Sequence, residues 1–237
     1  MAPEVRDWLA GYYAHCSVLD SCMGDLLQTI DKRGPDQNTI VLFISDHGDM
    51  LGSQGQIKKQ RPWEESVRIP FLLRYPKLRD WTPGETDALI TTTDVMPTLL
   101  GLAGLAVPES VEGLDYSGFI RGETDAPDDA ALLTCPHPFG QWTRDRHKGK
   151  EFRGIRTRRH TYVRDLNGPW LLYDNEADPY QMHNLVEDSA SSEIREELDR
   201  KLAEKLERLD DEFLPGSAYI EKWGYQVDES GTVPYEN

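Results

Sequence analysis

The run NTIVLFISDHGDMLG, residues 38–52, limits the fold more than any other stretch of the chain. Every residue from Ile40 to Ile44 is apolar, so a strand spanning Thr39 to Ser45 has two faces to bury. Strands of that kind sit inside parallel sheets covered by helices. Upstream, Leu9, Tyr12, Tyr13, Cys16, Leu19, Met23, Leu26, Leu27 and Ile30 recur at threes and fours. That spacing predicts one helix over residues 4–33 with a single buried face, stopped at Gly34-Pro35. A helix followed by a buried strand is half of a βαβ unit, which makes the class α/β.

A second apolar strand is expected around Ile69 to Arg74, closed by Pro76. TTTDVMPTLLGLAG predicts a helix capped by Thr93 or Asp94 and ended near Gly101 or Gly104. Residues 106–130 are turn-rich and acidic, hence surface. The pattern then changes. EFRGIRTRRHTYVRDL and GPWLLYDNEADPYQMHNL alternate and break at Asn167-Gly168, a hairpin signal. They predict a small antiparallel sheet, followed by a charged helix over 189–212 with Ile194, Leu198, Leu202 and Leu206 on one stripe. The last twenty residues read as an extended tail packed on the body, or as partly disordered. Two domains are expected, 1–130 and 131–237.

The composition narrows the partners. With 237 residues, 42 acidic and 26 basic, the net charge is −16, which opposes nucleic acid or an anionic membrane surface. A small anionic substrate stays possible, because a few cations in a cleft outweigh the distant field. No apolar run reaches the roughly 18 residues of a membrane helix. The first residues, MAPEVRDWLAGYY, show neither the basic nor the apolar region of a signal peptide and open almost directly into a helix, as at a domain boundary; the compartment stays open. Cys16, Cys22 and Cys135 cannot all pair, and no C-x-x-C is present, so a disulfide framework or a cysteine zinc site is not expected.

The chemistry gathers at the strand end. In open α/β sheets functional side chains collect beyond the carboxyl ends of strands, where Asp46 and His47 stand. A carboxylate and a neutral imidazole are reasonable ligands for a divalent cation, although an Asp there also serves turns and caps. Gly48 and Gly52 keep the mouth of such a site open. Two ligands do not complete six or more, so others must come from elsewhere. Lys58 and Lys59 read either as solvated cations or as point charges aimed at an anionic ester. His137, in a proline-bounded loop with Trp142 and Arg144, is a candidate pocket wall.

Five stretches carry a resemblance: YYAHCSVLDSCMGDLL, NTIVLFISDHGDMLG, KKQRPWEESVRIPFLLRYP, TTTDVMPTLLGLAG and LLYDNEADPYQMHNL. In order and spacing they resemble the second half of type I, formylglycine-dependent sulfatases of the alkaline-phosphatase superfamily. The resemblance implies part of a mostly parallel sheet flanked by helices, then an antiparallel subdomain. It implies metal-assisted hydrolysis of a sulfate monoester on a small molecule or sugar. Asp46 and His47 would ligate calcium, or magnesium, and Lys59, with Lys58 one residue slipped, would contact the sulfate. The family's nucleophile, a formylglycine within C-x-P-x-R or S-x-P-x-R, has no counterpart here. CPHPF at 135–139 has its prolines at the second and fourth positions and Phe139 where Arg is required, so Cys135 is not that nucleophile. The isolated chain is therefore expected to be inactive. The alternatives are a phosphodiesterase or phosphonate hydrolase of the same superfamily, and a non-catalytic sulfatase-like domain.

Overall fold

Helix α1 runs without a break from Pro3 to Arg33, with Glu4 in its first turn and Lys32 and Arg33 in its last. Those charges oppose the helix dipole at both ends. The computed structural model describes residues 3–34, 38–78, 84–138, 149–228 and 233. The chain divides into two units, Met1–Thr86 and Asp87–Asn237.

In the first unit, strand β1 (Val41–Ile44) pairs with β2 (Phe71–Arg74), Ile44 opposite Phe71 and Val41 opposite Arg74. The pairing is antiparallel, and no parallel pair occurs among the described residues. This corrects the expectation of a parallel sheet for these two strands. The reason lies in the connection. Gly48 N–H donates to Ser66 O at 2.9 Å, so the chain returns to the carboxyl end of β1 before β2 begins. From there β2 must run back along its neighbour. The intervening helix α2 (Glu64–Val67) has four residues, far short of a crossover. A second correction concerns α1. Val5, Leu9, Met23, Leu27 and Ile30 are half-buried, but Trp8, Tyr12, Leu19 and Leu26 are exposed, so only part of the apolar face is covered within the unit.

The second unit begins with a capping box: Asp94 accepts from Thr91 N–H and Thr91 Oγ1, each at 2.7 Å, and from Leu114 N–H at 2.8 Å. Thr91 caps the 3-10 turn Thr92–Asp94, with Asp94 as the reciprocating acid three residues later, and Asp94, one of the two expected caps, is the N-cap residue of the helix that follows, without a side-chain cap bond of its own. Helix α3 (Val95–Leu102) follows and ends at Gly104, whose φ is +73°. Beyond the short α4 (Ser117–Ile120), strands β3 (Ala130–Cys135), β4 (Phe152–Thr157), β5 (His160–Asp165) and β6 (Gly168–Asp174) form one antiparallel meander in sequence order.

Helix α5 (Ser192–Arg208) lays Leu198 and Leu202 against Ala130, Ile155, Tyr162, Leu172 and Val186, with Ile194 and Leu206 at the margin. The expected stripe is therefore the one that packs. The expected extended tail is corrected in part: Gly216–Lys222 forms helix α6. Its first residue donates to Glu151 Oε1 at 3.0 Å, and Tyr219 Oη donates to Asp211 Oδ1 at 2.8 Å. Asp211 in turn pairs with the buried Arg153.

Candidate metal centre

The end of β1 is organised by short-range hydrogen bonds. Ser45 Oγ donates to His47 O at 2.8 Å, and His47 N–H donates to Asp46 Oδ1 at 3.0 Å. These bonds close a tight turn that sends both side chains off the strand end. His47 Nδ1 lies 2.8 Å from Gly48 O. A carbonyl only accepts, so Nδ1 carries a proton, and Nε2 is the nitrogen that a neutral ring would offer to a cation. Nε2 lies 3.4 Å from Asp46 Oδ2, and the Asp46 side chain is 85% exposed.

That pair fits a divalent cation. Two ligands about 2.4 Å from one ion, at right angles, stand about 3.4 Å apart. The second nitrogen is already tied to a backbone carbonyl, the arrangement that fixes the tautomer of a ligating histidine. Among the described residues no group of three or more His, Cys, Asp or Glu side chains is placed to hold a metal. The strand end thus brings together two side chains, Asp46 and His47, of the types that ligate a cation.

The loop that follows is built around Asp49, Arg61 and Ser66. Asp49 Oδ1 accepts from Leu51 N–H at 2.9 Å and from Lys58 N–H at 3.0 Å, while Met50 N–H donates to Lys58 O at 2.9 Å. Arg61 is 2% exposed; it donates to Lys59 O at 2.8 Å and to Gln56 Oε1 at 3.2 Å. The backbone of the lysine pair is thus held from both sides, with Lys58 at φ +63° and Gln60 at φ +68°. Both lysine side chains are exposed. Gly48 is required by space: a Cβ there would collide with the carbonyl oxygen of Glu65. Sequence reasoning missed Arg61 and Asp49. Nothing in KKQRP marks one cation as the buried one, whereas Asp49, two residues before Leu51, carries a weak turn signal.

His137 belongs to the second unit. It packs against Gly216, where a Cβ would collide with its ring, and its Nδ1 is buried with no hydrogen-bond partner among the described residues. Cys135 is a buried thiol at the end of β3. Trp142 and Arg144 lie outside the described residues.

The model of the family described as N-sulphoglucosamine sulphohydrolase, C-terminal, matches residues 52–208. An ulvan-active sulfatase of Formosa agariphila is 38% identical over 233 residues, which is 97% of this chain and 45% of that protein. The chain belongs to the sulfatase family. It spans about half the length of the curated relatives it matches. A solved structure of a protein in complex with its substrate D-glucosamine-2-N,6-O-disulfate is 28% identical, with a TM-score of 0.67 over 81% of this chain and 39% of that one. The phosphonate monoester hydrolase of Agrobacterium radiobacter shares the fold, at 24% identity and a TM-score of 0.69 over 95% of this chain and 45% of that one. The sulfatase fold thus accounts for the four-stranded antiparallel sheet and the long helix behind it. Among the described residues no helix is long and apolar enough to cross a membrane.

Proposed function

We propose that residues 1–237 are the C-terminal part of a metal-dependent sulfatase that hydrolyses a sulfate monoester on a sulfated sugar. The observation that carries this reading is the Asp46–His47 pair, 3.4 Å apart, with its histidine tautomer set by Gly48 O, in a chain of that family. Asp46 Oδ2 and His47 Nε2 would hold a calcium or magnesium ion together with donors from the rest of the protein. When bound, the cation supplies positive charge that polarises the sulfate oxygens. Lys59, with Lys58 as the neighbouring candidate, would set an ammonium against charge growing on the sulfuryl oxygens. Arg61 and Asp49 would keep that lysine's backbone in place. His137, packed against Gly216 in the second unit, has no role in this reading.

On this reading a formylglycine nucleophile would lie in sequence outside these residues, residues 1–130 would complete the catalytic domain and 131–237 would form a subdomain. Sulfated sugar as the substrate class rests on the two carbohydrate-linked neighbours named above. The test is a panel of sulfated saccharides, an aryl sulfate and a phosphonate monoester offered to the intact enzyme. Turnover of a sulfated saccharide, abolished by Lys59→Ala, supports the reading. Preference for the phosphonate overturns it.

A further inference from the structure

Most lysine side chains of this chain end on an acceptor: Lys32 and Lys77 on side-chain amides, Lys150, Lys201, Lys205 and Lys222 on carboxylates. Among the described lysines only Lys58 and Lys59 have an ammonium with neither a hydrogen-bond nor an ion-pair partner. In a chain with 42 acidic and 26 basic residues, two adjacent unpaired cations are unexpected. Their backbone, by contrast, is pinned. Lys58 N–H donates to Asp49 Oδ1, the Lys58 carbonyl accepts from Met50 N–H, and the Lys59 carbonyl accepts from Arg61. Met50 is 0% and Arg61 2% exposed, so the frame is buried while both lysine side chains are exposed. Lys58 holds φ at +63°, a conformation that glycine takes more easily. Leu51, Gln54 and Gln60 share that left-handed backbone. Such strain persists only where the surroundings over-determine it, and it collects at ligand clamps.

We infer that Lys58 and Lys59 bind two different anionic groups of one saccharide, Lys59 the scissile sulfate and Lys58 a second sulfate or a carboxylate beside it. Charge balance separates the two roles. A sulfate monoester carries a single negative charge, which the divalent cation and Lys59 of the proposed function would already face. A second ammonium brought to the same group would add chiefly repulsion between the two lysines. Consecutive Cα atoms stand about 3.8 Å apart, so two side chains grown from one pinned segment serve neighbouring substituents of one molecule. Lys58 is thus a specificity residue rather than a substitute for Lys59, and the substrate class narrows to saccharides with at least two negative groups. The inference rests on the proposed function and adds a substrate contact to it.

The test uses the intact enzyme and two matched pairs of probes. One pair is D-glucosamine-6-O-sulfate and D-glucosamine-2-N,6-O-disulfate; the other is a monosulfated disaccharide with and without a hexuronate carboxylate. Initial rates give KM and kcat, and calorimetry in a Lys59→Ala background gives Kd without turnover. The more anionic member of at least one pair should bind about tenfold more tightly, and the pair that shows it tells sulfate from carboxylate. Lys58→Gln should remove that preference through KM rather than kcat, and Lys58→Arg should keep most of it. Lys58→Gly removes the side chain and suits the left-handed backbone, so it should lose the preference while melting no lower than the parent. A preference that survives in Lys58→Gln and Lys58→Gly overturns the inference, as does a parent without one. An equal loss of kcat on both members of a pair in Lys58→Gln overturns it too, because that lysine would then serve the scissile sulfate. No sulfate release from any probe, with a tenfold Kd preference that requires Lys58, sinks the proposed function and leaves the second contact standing.

Discussion

At the scale of single residues, backbone fit and local charge decide the outcome. Gly48 lies so close to the Glu65 carbonyl that no side chain fits. Gly48→Ala should therefore cost about 2–4 kcal/mol and drive the Asp46–His47 turn away from Ser66; denaturant unfolding of the variant checks this, and an unchanged midpoint contradicts it. Asp174 offers a test of electrostatics. Its hydrogen bond from the Arg159 guanidinium, helped by the N–H groups of Ala177 and Glu176 and opposed by partial burial, holds its carboxyl down at about 2. An unfolded aspartate titrates near 3.9. A folded pKa that is depressed gives stability that is present above pH 4 and lost as pH falls toward 2. Arg159→Gln should thus lower the urea midpoint fully at pH 6, with the deficit shrinking between pH 4 and pH 2. A deficit constant over that range would mean that the pair contributes packing rather than charge.

At the scale of elements, periodicity was readable wherever one face meets a core inside the chain. The stripe Ile194, Leu198, Leu202 and Leu206 packs on the meander as its spacing requires, and Leu202, 1% exposed, should cost about 2–5 kcal/mol as Leu202→Ala. Chemical denaturation measures that cost, and a loss under about 1 kcal/mol would show that the sheet collapses onto the gap. The hairpin was legible from Asn167-Gly168, although its two-residue loop is Leu166-Asn167, with Gly168 opening β6 opposite Asp165. Strand β3 was missed because AALLTC follows an acidic, turn-rich segment and lacks alternation. Helix α6 was missed because seven residues give too little periodicity to see. The face expected to be buried on α1 is covered only along one row, and β1, expected to be buried on both sides, is half-buried at each residue, for a shared reason. Both patterns report surface to be covered, and they do not say which segment covers it. In the candidate site Asp46 and His47 were legible because a strand end exposes them, while Arg61 was hidden in a string of cations that composition reads as solvated.

At the scale of the whole molecule, the sulfatase relatives are about twice as long as this chain, and on the proposed reading Asp46 and His47 would need donors from outside these residues to complete a metal site. The isolated chain should bind calcium weakly, with calorimetry showing no saturation at micromolar ion, because two donors do not complete a coordination sphere. Tight binding would mean that further donors lie within these residues. In the intact enzyme, replacing a direct ligand should weaken metal affinity by at least about a hundredfold, since even outer-shell partners cost 10–100-fold. The decisive measurement is the calcium dependence of sulfate-ester hydrolysis by the intact polypeptide, compared between the parent and Asp46→Asn. The account predicts that the variant needs about a hundredfold more calcium for half-maximal rate and keeps its melting temperature in the absence of metal. An Asp46→Asn enzyme with the parent's rate and the parent's calcium requirement would contradict it.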